Sequence, residues 1–361
     1  MTRWALVPLR PWIYSAAVGG LTHGLLAAGI DVEAGIDNDE RMEYAYRANN
    51  PGVTFLRWDL TQVSSEDIAR LFAPGKYRLL AGCAPCQPFS KATRPQHRQR
   101  LHDMLDYFGA FIRDIRCDLV LAENVAGLAT IGRDVFTRFL EVLHRGGYYV
   151  DWRVVNAAEY GVPQLRKRLI LLASRLGEIA IPQGPYRRPD EWRTVRQTIG
   201  HLPLLEAGAE DPHDPLHVAP RPSALGMLRI AATPRNGGTW RDWADNPAMQ
   251  CHWRDSKEGW FSVYSRMRWD CPSYTITSHC TEASSGPYVH PEQHRPITLR
   301  EAALLQSFPA TYRFWPPDEK VNRKAVARMI GNAVPPLLAA ALGKAIMQHV
   351  VAPQKNFTLF S

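Results

Sequence analysis

The run Gly82-Cys83-Ala84-Pro85-Cys86-Gln87-Pro88-Phe89-Ser90 places a pair of thiols with a small residue and a proline between them. Three chemistries suit such a pair. One is thiol–disulfide exchange. A second is half of a zinc site, although Cys117, Cys251, Cys271 and Cys280 form no second C-x-x-C to complete it. The third is a thiolate nucleophile, which needs a lowered pKa or a nearby proton acceptor. Lys91, Arg94, Arg98 and Arg100 follow, with His97 and His102 and no acidic residue from Lys91 to His102. Such a run suits a solvated face or a loop that grips phosphates. Glu123-Asn124 and the cluster Arg166-Lys167-Arg168 supply a carboxylate and cations further on.

These groups need a scaffold, and the surrounding pattern predicts one. Val32–Ile36, Leu79–Gly82, Asp118–Ala122, Tyr148–Val155 and Leu169–Ser174 read as strands. Asp39–Asn49, Met104–Ile115 and Val135–Leu143 read as helices between them. Strands alternating with helices predict a mostly parallel sheet covered on both faces. Function in such sheets gathers beyond the carboxyl ends of the strands, where Cys83–Cys86 and Glu123-Asn124 fall. From Ile181 to about His294 the chain turns irregular and rich in Pro, Gly, Arg, Trp and His, with a short strand expected at Ser273–Thr277. Helical spacing returns at Thr298–Ser307, Arg323–Met329 and Leu337–Val350.

Taken in order, the motifs resemble those of bacterial DNA (cytosine-5) methyltransferases. Pro85-Cys86-Gln87 with Phe89-Ser90 is similar to the family's nucleophile motif, and Glu123-Asn124-Val125 to its ENV motif. Gln164-Leu165-Arg166-Lys167-Arg168 is similar to QxRxR, and Arg300-Glu301 with Gln306-Ser307-Phe308-Pro309 to the RE and QxFP block. Gly331-Asn332-Ala333-Val334-Pro335-Pro336 is similar to the terminal GNAVPP. The resemblance implies a class I S-adenosylmethionine-dependent methyltransferase, a Rossmann-like α/β fold with a mostly parallel sheet. Residues 1–180 and 322–361 would form the catalytic and cofactor-binding domain. Residues 181–321, with the returning QxFP segment, would form an inserted target-recognition domain.

The chemistry implied explains the residue types. Cytosine C5 is a poor nucleophile. A thiolate, here Cys86, adds to C6 and leaves carbanion character at C5. Glu123 would bind N3 and the exocyclic amine, and Arg166 or Arg168 would stabilise charge at O2. The target cytosine must be flipped from the duplex to be reached. Gln87, Ser90, Lys91, Arg94, Arg98, Arg235 and Arg241 are the expected DNA contacts. S-adenosyl-L-methionine, leaving as S-adenosyl-L-homocysteine, would be held by Gly19, Gly20, Leu21, Asp37, Asn38, Asp59, Leu60 and Asn332; no metal is implied. The glycine turn departs from the family's DLFxGxGG: Ile13 and Ser15 stand in its opening, and Ala17 replaces the first glycine.

Composition agrees with this class. The 361 residues carry a net charge of +8, favouring a polyanionic partner. Hydrophobic content of 45% and charged content of 22% exclude a disordered chain, a collagen and a coiled coil. Six cysteines are too few for a disulfide scaffold. No uninterrupted apolar run reaches membrane-spanning length, since Pro335 and Pro336 break the best candidate. The expected partner is double-stranded DNA, with no membrane and no obligatory protein partner; a companion restriction endonuclease would act separately. The expected location is cytoplasmic, at the nucleoid through DNA. The alternatives are a tRNA methyltransferase of the same family and a non-catalytic DNA-binding relative.

Overall fold

The computed structural model describes residues 9–14, 17–72, 77–83, 99–246 and 262–352. The chain forms two compact units. One comprises Met1–Asn156, Lys167–Gly184 and Val334–Ser361, the other Ala157–Arg166 and Pro185–Ala333. Compactness thus divides the chain a few residues after 180 and one helix after 321. It also assigns a short excursion at 157–166 to the second unit.

The first unit is built on seven strands: β1 (Leu9–Tyr14), β2 (Ala34–Ile36), β3 (Thr54–Leu56), β4 (Tyr77–Gly82), β5 (Leu119–Val125), β6 (Tyr149–Asn156) and β7 (Lys167–Ser174). Their order is β3-β2-β1-β4-β5-β7-β6. The pairs among β1–β5 are all parallel, while β7 runs antiparallel to both β5 and β6. The sheet is therefore mostly parallel, as the alternating pattern predicts. The reversed β7 and the short β3 are not visible in that pattern.

The strands are near-continuous apolar runs because helices cover both faces. The helices of this unit are α1 (Gly20–Ala27), α2 (Arg41–Asn49), α3 (Ser65–Arg70), α4 (Gln99–Ile115) and α5 (Arg133–Arg145). A Ser64–Asp67 capping box starts α3, a helix that apolar spacing does not reveal. Phe108, Phe111, Phe136 and Phe139 project from α4 and α5 into one core with Leu80, Val120 and Leu171 of the sheet. The Phe108 and Phe139 rings stack at 5.7 Å.

After the second unit, α10 (Pro336–Val351) returns to pack on α1. Their backbones approach so closely that a Cβ on Gly24 would lie 2.4 Å from the Ala339 Cβ. The stretch Arg323–Val351 is long and apolar enough to cross a membrane, but it is helical in separate pieces around Pro335 and mostly buried in the protein.

The second unit holds the hairpin β8 (Glu210–Asp211) and β9 (Asp214–Val218), with α6 (Val195–Ile199), α7 (Ala224–Ala232), α8 (Leu299–Leu305) and α9 (Arg323–Asn332). Ser273–Thr277 is not a strand. Only Ser273 makes a bridge, to Gln164, and the Ile276 N–H donates to the Gln164 side chain instead of a neighbouring strand.

Buried arginines replace a regular ladder in this unit. Arg266 donates to the carbonyls of Ile230, Thr233, His290 and Gln293, tying the end of α7 to the 290–293 loop. Arg295 makes a bidentate pair with Glu301, both bonds 2.8 Å, and Glu301 also accepts from the Thr298 N–H to cap α8. Burial alone would push the Glu301 carboxyl up, but Arg295 and these donors hold it at about 2. Burial lowers His290 to about 4, so it is neutral at pH 7 and its 3.8 Å approach to Glu301 is no ion pair there.

Both groups therefore make the unit acid-sensitive. Stability contributed by neutral His290 is lost as pH falls from about 6.5, and that of Glu301 as pH falls from about 4.3. Glu301→Gln leaves Arg295 buried without a counter-charge and should cost about 3–5 kcal/mol at pH 7. Hydrogen exchange across α8 reads this, and the variant should lose less additional protection than the wild type below about pH 4.

Candidate active site

Strand register sets a row of chemical groups along the carboxyl edge of the sheet. Ile36, Tyr14, Gly82 and Ala122 lie level in β2, β1, β4 and β5. The next residues in β2, β4 and β5 are Asp37, Cys83 and Glu123. The strand order reverses between β1 and β4, the kind of switch point where open α/β sheets bind ligands.

On the β1–β3 side lies the glycine turn. Gly19 adopts φ +89° and leads directly into α1, where Leu21 is buried. Asp37 closes the turn from β2: its Oδ2 accepts from the Ala17 N–H at 2.8 Å and its Oδ1 from the Asp39 N–H at 3.0 Å. Burial pushes the Asp37 carboxyl above its ordinary range, against the lowering effect of these donors. Each oxygen retains a lone pair for a ligand hydroxyl. Asn38 beside it is exposed.

Beyond β3, Asp59 is exposed and Leu60 buried. Asp59 Oδ1 accepts from the backbone and hydroxyl of Thr61, and these bonds hold its carboxyl below the usual range. Its Oδ2 makes no hydrogen bond among the described residues. Two carboxylates beyond adjacent strands, near a glycine turn, can accept from the hydroxyls and amine of a nucleoside.

On the other side of the switch point, Glu123 is almost fully buried and held by donors from both neighbouring strands. The Arg168 Nε lies 3.0 Å from Oε1, with the Arg168 side chain 13% exposed. The Cys83 Sγ donates to Oε2 at 2.8 Å. Leu105, Phe108, Phe136 and Phe139 line a small apolar cavity that Glu123 also borders. Cys86, Gln87, Ser90, Lys91, Arg94 and Arg98 lie outside the described residues.

Arg166 and Arg168 differ in their surroundings. Arg166 is buried in the second unit, where its guanidinium donates to the carbonyls of Ile276, Gly331 and Ala333. Gly331 and Ala333 flank Asn332, so Arg166 grips the backbone around that exposed residue. Gln164 is likewise committed, donating to Gln306 Oε1 at 2.5 Å and to the Leu305 carbonyl. Spacing alone makes the arginines equivalent; the structure gives only Arg168 to Glu123. Arg235 and Arg241 are exposed in the second unit, Arg241 lying over the Trp240 ring. Cys83 is the site residue that sequence reasoning valued only as half of a C-x-x-C. Its signal was the equal spacing of 40 residues between it and Glu123 and between the paired Gly82 and Ala122.

The sheet order, the reversed seventh strand and this row of groups define a Rossmann-like methyltransferase. The C-5 cytosine-specific DNA methylase family matches residues 15–348, and the chain belongs to that family. It is a DNA (cytosine-5) methyltransferase that uses S-adenosylmethionine. The chain is 41% identical over 334 residues to the type II methylase M.HgiDII of Herpetosiphon aurantiacus, covering 92% of this chain and 93% of the relative. It is 32% identical over 344 residues to the type II methyltransferase M1.HphI of Haemophilus parahaemolyticus, covering 93% and 86%. Among solved structures, a prophage-encoded DNA modification methyltransferase of E. coli shares the fold with a TM-score of 0.71 at 21% identity, covering 94% of this chain and 98% of that one. The S. pombe Dnmt2 methyltransferase shares it with a TM-score of 0.58 at 17% identity, covering 94% and 98%.

Ala17 has φ +46°, a left-handed conformation that costs an L-residue about 1–2 kcal/mol. Ala17→Gly removes that strain and returns about 0.4–1 kcal/mol of it through a looser unfolded chain. The variant should therefore be as stable as the wild type or up to about 1 kcal/mol more so. A denaturation midpoint checks this; a clear loss of stability would contradict the strained turn.

Proposed function

We propose that Glu123 and Arg168 form the cytosine-binding pair of this enzyme, with Cys86 as its nucleophile. The observation that carries the reading is the buried Glu123–Arg168 pair at the carboxyl edge of β5. A carboxyl group there can engage N3 and the exocyclic amine of a flipped cytosine, while the guanidinium reaches toward O2. The Cys86 sulfur bonds to C6, and the C5–C6 electron pair moves to C5 with charge shared toward N3 and O2. Glu123 holds a proton at N3 and Arg168 balances charge at O2. S-adenosylmethionine supplies the methyl group that C5 accepts. Loss of the C5 proton then restores the double bond and expels the Cys86 thiolate.

On this reading Gly19, Gly20, Leu21, Asp37, Asn38, Asp59, Leu60 and Asn332 hold the cofactor. Asp37 accepts from the ribose hydroxyls, and Asp59 Oδ2 from the adenine amine. Arg166 is a positioning residue, because its Nη2 donates to the carbonyls on either side of Asn332. The second unit is the target-recognition domain. Its exposed Arg235 and Arg241 meet DNA, along with Gln87, Ser90, Lys91, Arg94 and Arg98 on the segment after β4. The substrate is double-stranded DNA, met in the cytoplasm at the nucleoid. On this reading the enzyme has no obligatory protein partner, and any companion restriction endonuclease acts separately.

Transfer of labelled methyl from S-adenosylmethionine to duplex DNA tests the assignment. Cys86→Ser and Glu123→Gln should each lower kcat by at least about 100-fold. Arg168→Ala should lower kcat of the folded enzyme and also cost stability, because it leaves Glu123 buried without its counter-charge, whereas Arg166→Ala should act through stability by stripping donors from three buried carbonyls. Full activity in Cys86→Ser would overturn the mechanism.

A further inference from the structure

We propose that Cys83 is a positioning residue for the cytosine chemistry, its thiol fixing the plane of the Glu123 carboxylate from the side opposite Arg168. This rests on the reading of Glu123 as the group that binds the target base. Parallel pairing sets Gly82 level with Ala122, so the following residues run side by side. The Cys83 Sγ then meets Oε2 at 2.8 Å while the Arg168 Nε meets Oε1 at 3.0 Å. The donors come from the strands that flank β5 and address different oxygens.

That division matters because the terminal torsion of a glutamate is soft. A carboxylate held through one oxygen still swings about its last bond. Held through both, from opposite sides, it keeps one plane. Cytosine presents N3 and its exocyclic amine in a fixed plane of its own, so a carboxylate already in register binds the base without an ordering cost. Cys83 keeps its proton throughout, forms no bond to the substrate and is neither oxidised nor reduced. The C-x-x-C thus divides into a nucleophile, Cys86, and a support, Cys83. Among the described residues, the ionisable groups in contact with the carboxylate are the Cys83 thiol and the Arg168 guanidinium.

The test compares Cys83→Ala, Cys83→Ser and Glu123→Gln in the full chain with duplex DNA. Cys83→Ala should lower kcat about tenfold with the KM for S-adenosylmethionine unchanged. Cys83→Ser keeps a donor and should recover to within about threefold of the wild type. The same order should appear in cofactor-free release of tritium from DNA carrying 5-tritiated cytosine, which reads addition at C6 without methyl transfer. If Cys83→Ala does not fold, Cys83→Val supplies a second non-donor variant. Wild-type kcat and tritium release in a folded non-donor variant overturn the proposal, as does a serine variant no better than alanine. An inactive Glu123→Gln beside a fully active Cys83→Ala removes the role of Cys83 alone. A fully active Glu123→Gln overturns the parent reading and this inference together.

Discussion

A carboxylate buried at the end of a central strand must be given donors, because an unpaired charge there would cost several kcal/mol. Glu123 sets that demand, and the arrangement around it meets it. In a purely parallel sheet, every neighbouring strand would end at the same edge as β5. β7 runs the other way, so its first residues, and not its last, lie at that edge. Arg168 is the second residue of β7 and pairs level with Val125, close enough to turn back onto Glu123. The reversed strand is thus what brings a cation encoded 45 residues later to the carboxylate.

The same strand marks the boundary between the units. Arg166 belongs to the second and Arg168 to the first. Residues two apart in sequence therefore do different work: one braces loops through backbone carbonyls, the other pairs with the buried acid. Gln164 extends the bracing, reaching the Gln306 side chain and the end of α8. The second unit has little regular sheet, and buried guanidiniums do the joining that a ladder would do elsewhere. Arg266, Arg295 and Arg166 each collect carbonyls from separate segments.

The alternating pattern made most of the first unit legible, because buried strands and amphipathic helices impose distinct apolar periods. The direction of β7 was not legible, since an apolar run such as LILLAS reads the same in either orientation. The expected strand at Ser273–Thr277 failed because its backbone bonds go to side chains and loop carbonyls, which no period encodes. The motifs located the chemistry but not its division of labour. QxRxR offers two cations, and only burial tells them apart. Cys83 looks like the partner of Cys86 in sequence, yet its thiol donates to Glu123, 40 positions away. The turn at Ala17 reads as a tolerable glycine replacement until its positive φ is seen.

The central claim is that Cys86 attacks a cytosine held by Glu123 and Arg168, with Cys83 in support only. Duplex DNA carrying 5-fluorocytosine tests it directly. Fluorine leaves no C5 proton to lose, so the enzyme stays bonded to C6 after methyl transfer. Digestion and mass spectrometry of the trapped complex identify the sulfur. An adduct on Cys86 that forms in the presence of S-adenosylmethionine is the predicted result. An adduct on Cys83, or none from an enzyme active on ordinary DNA, would contradict the account.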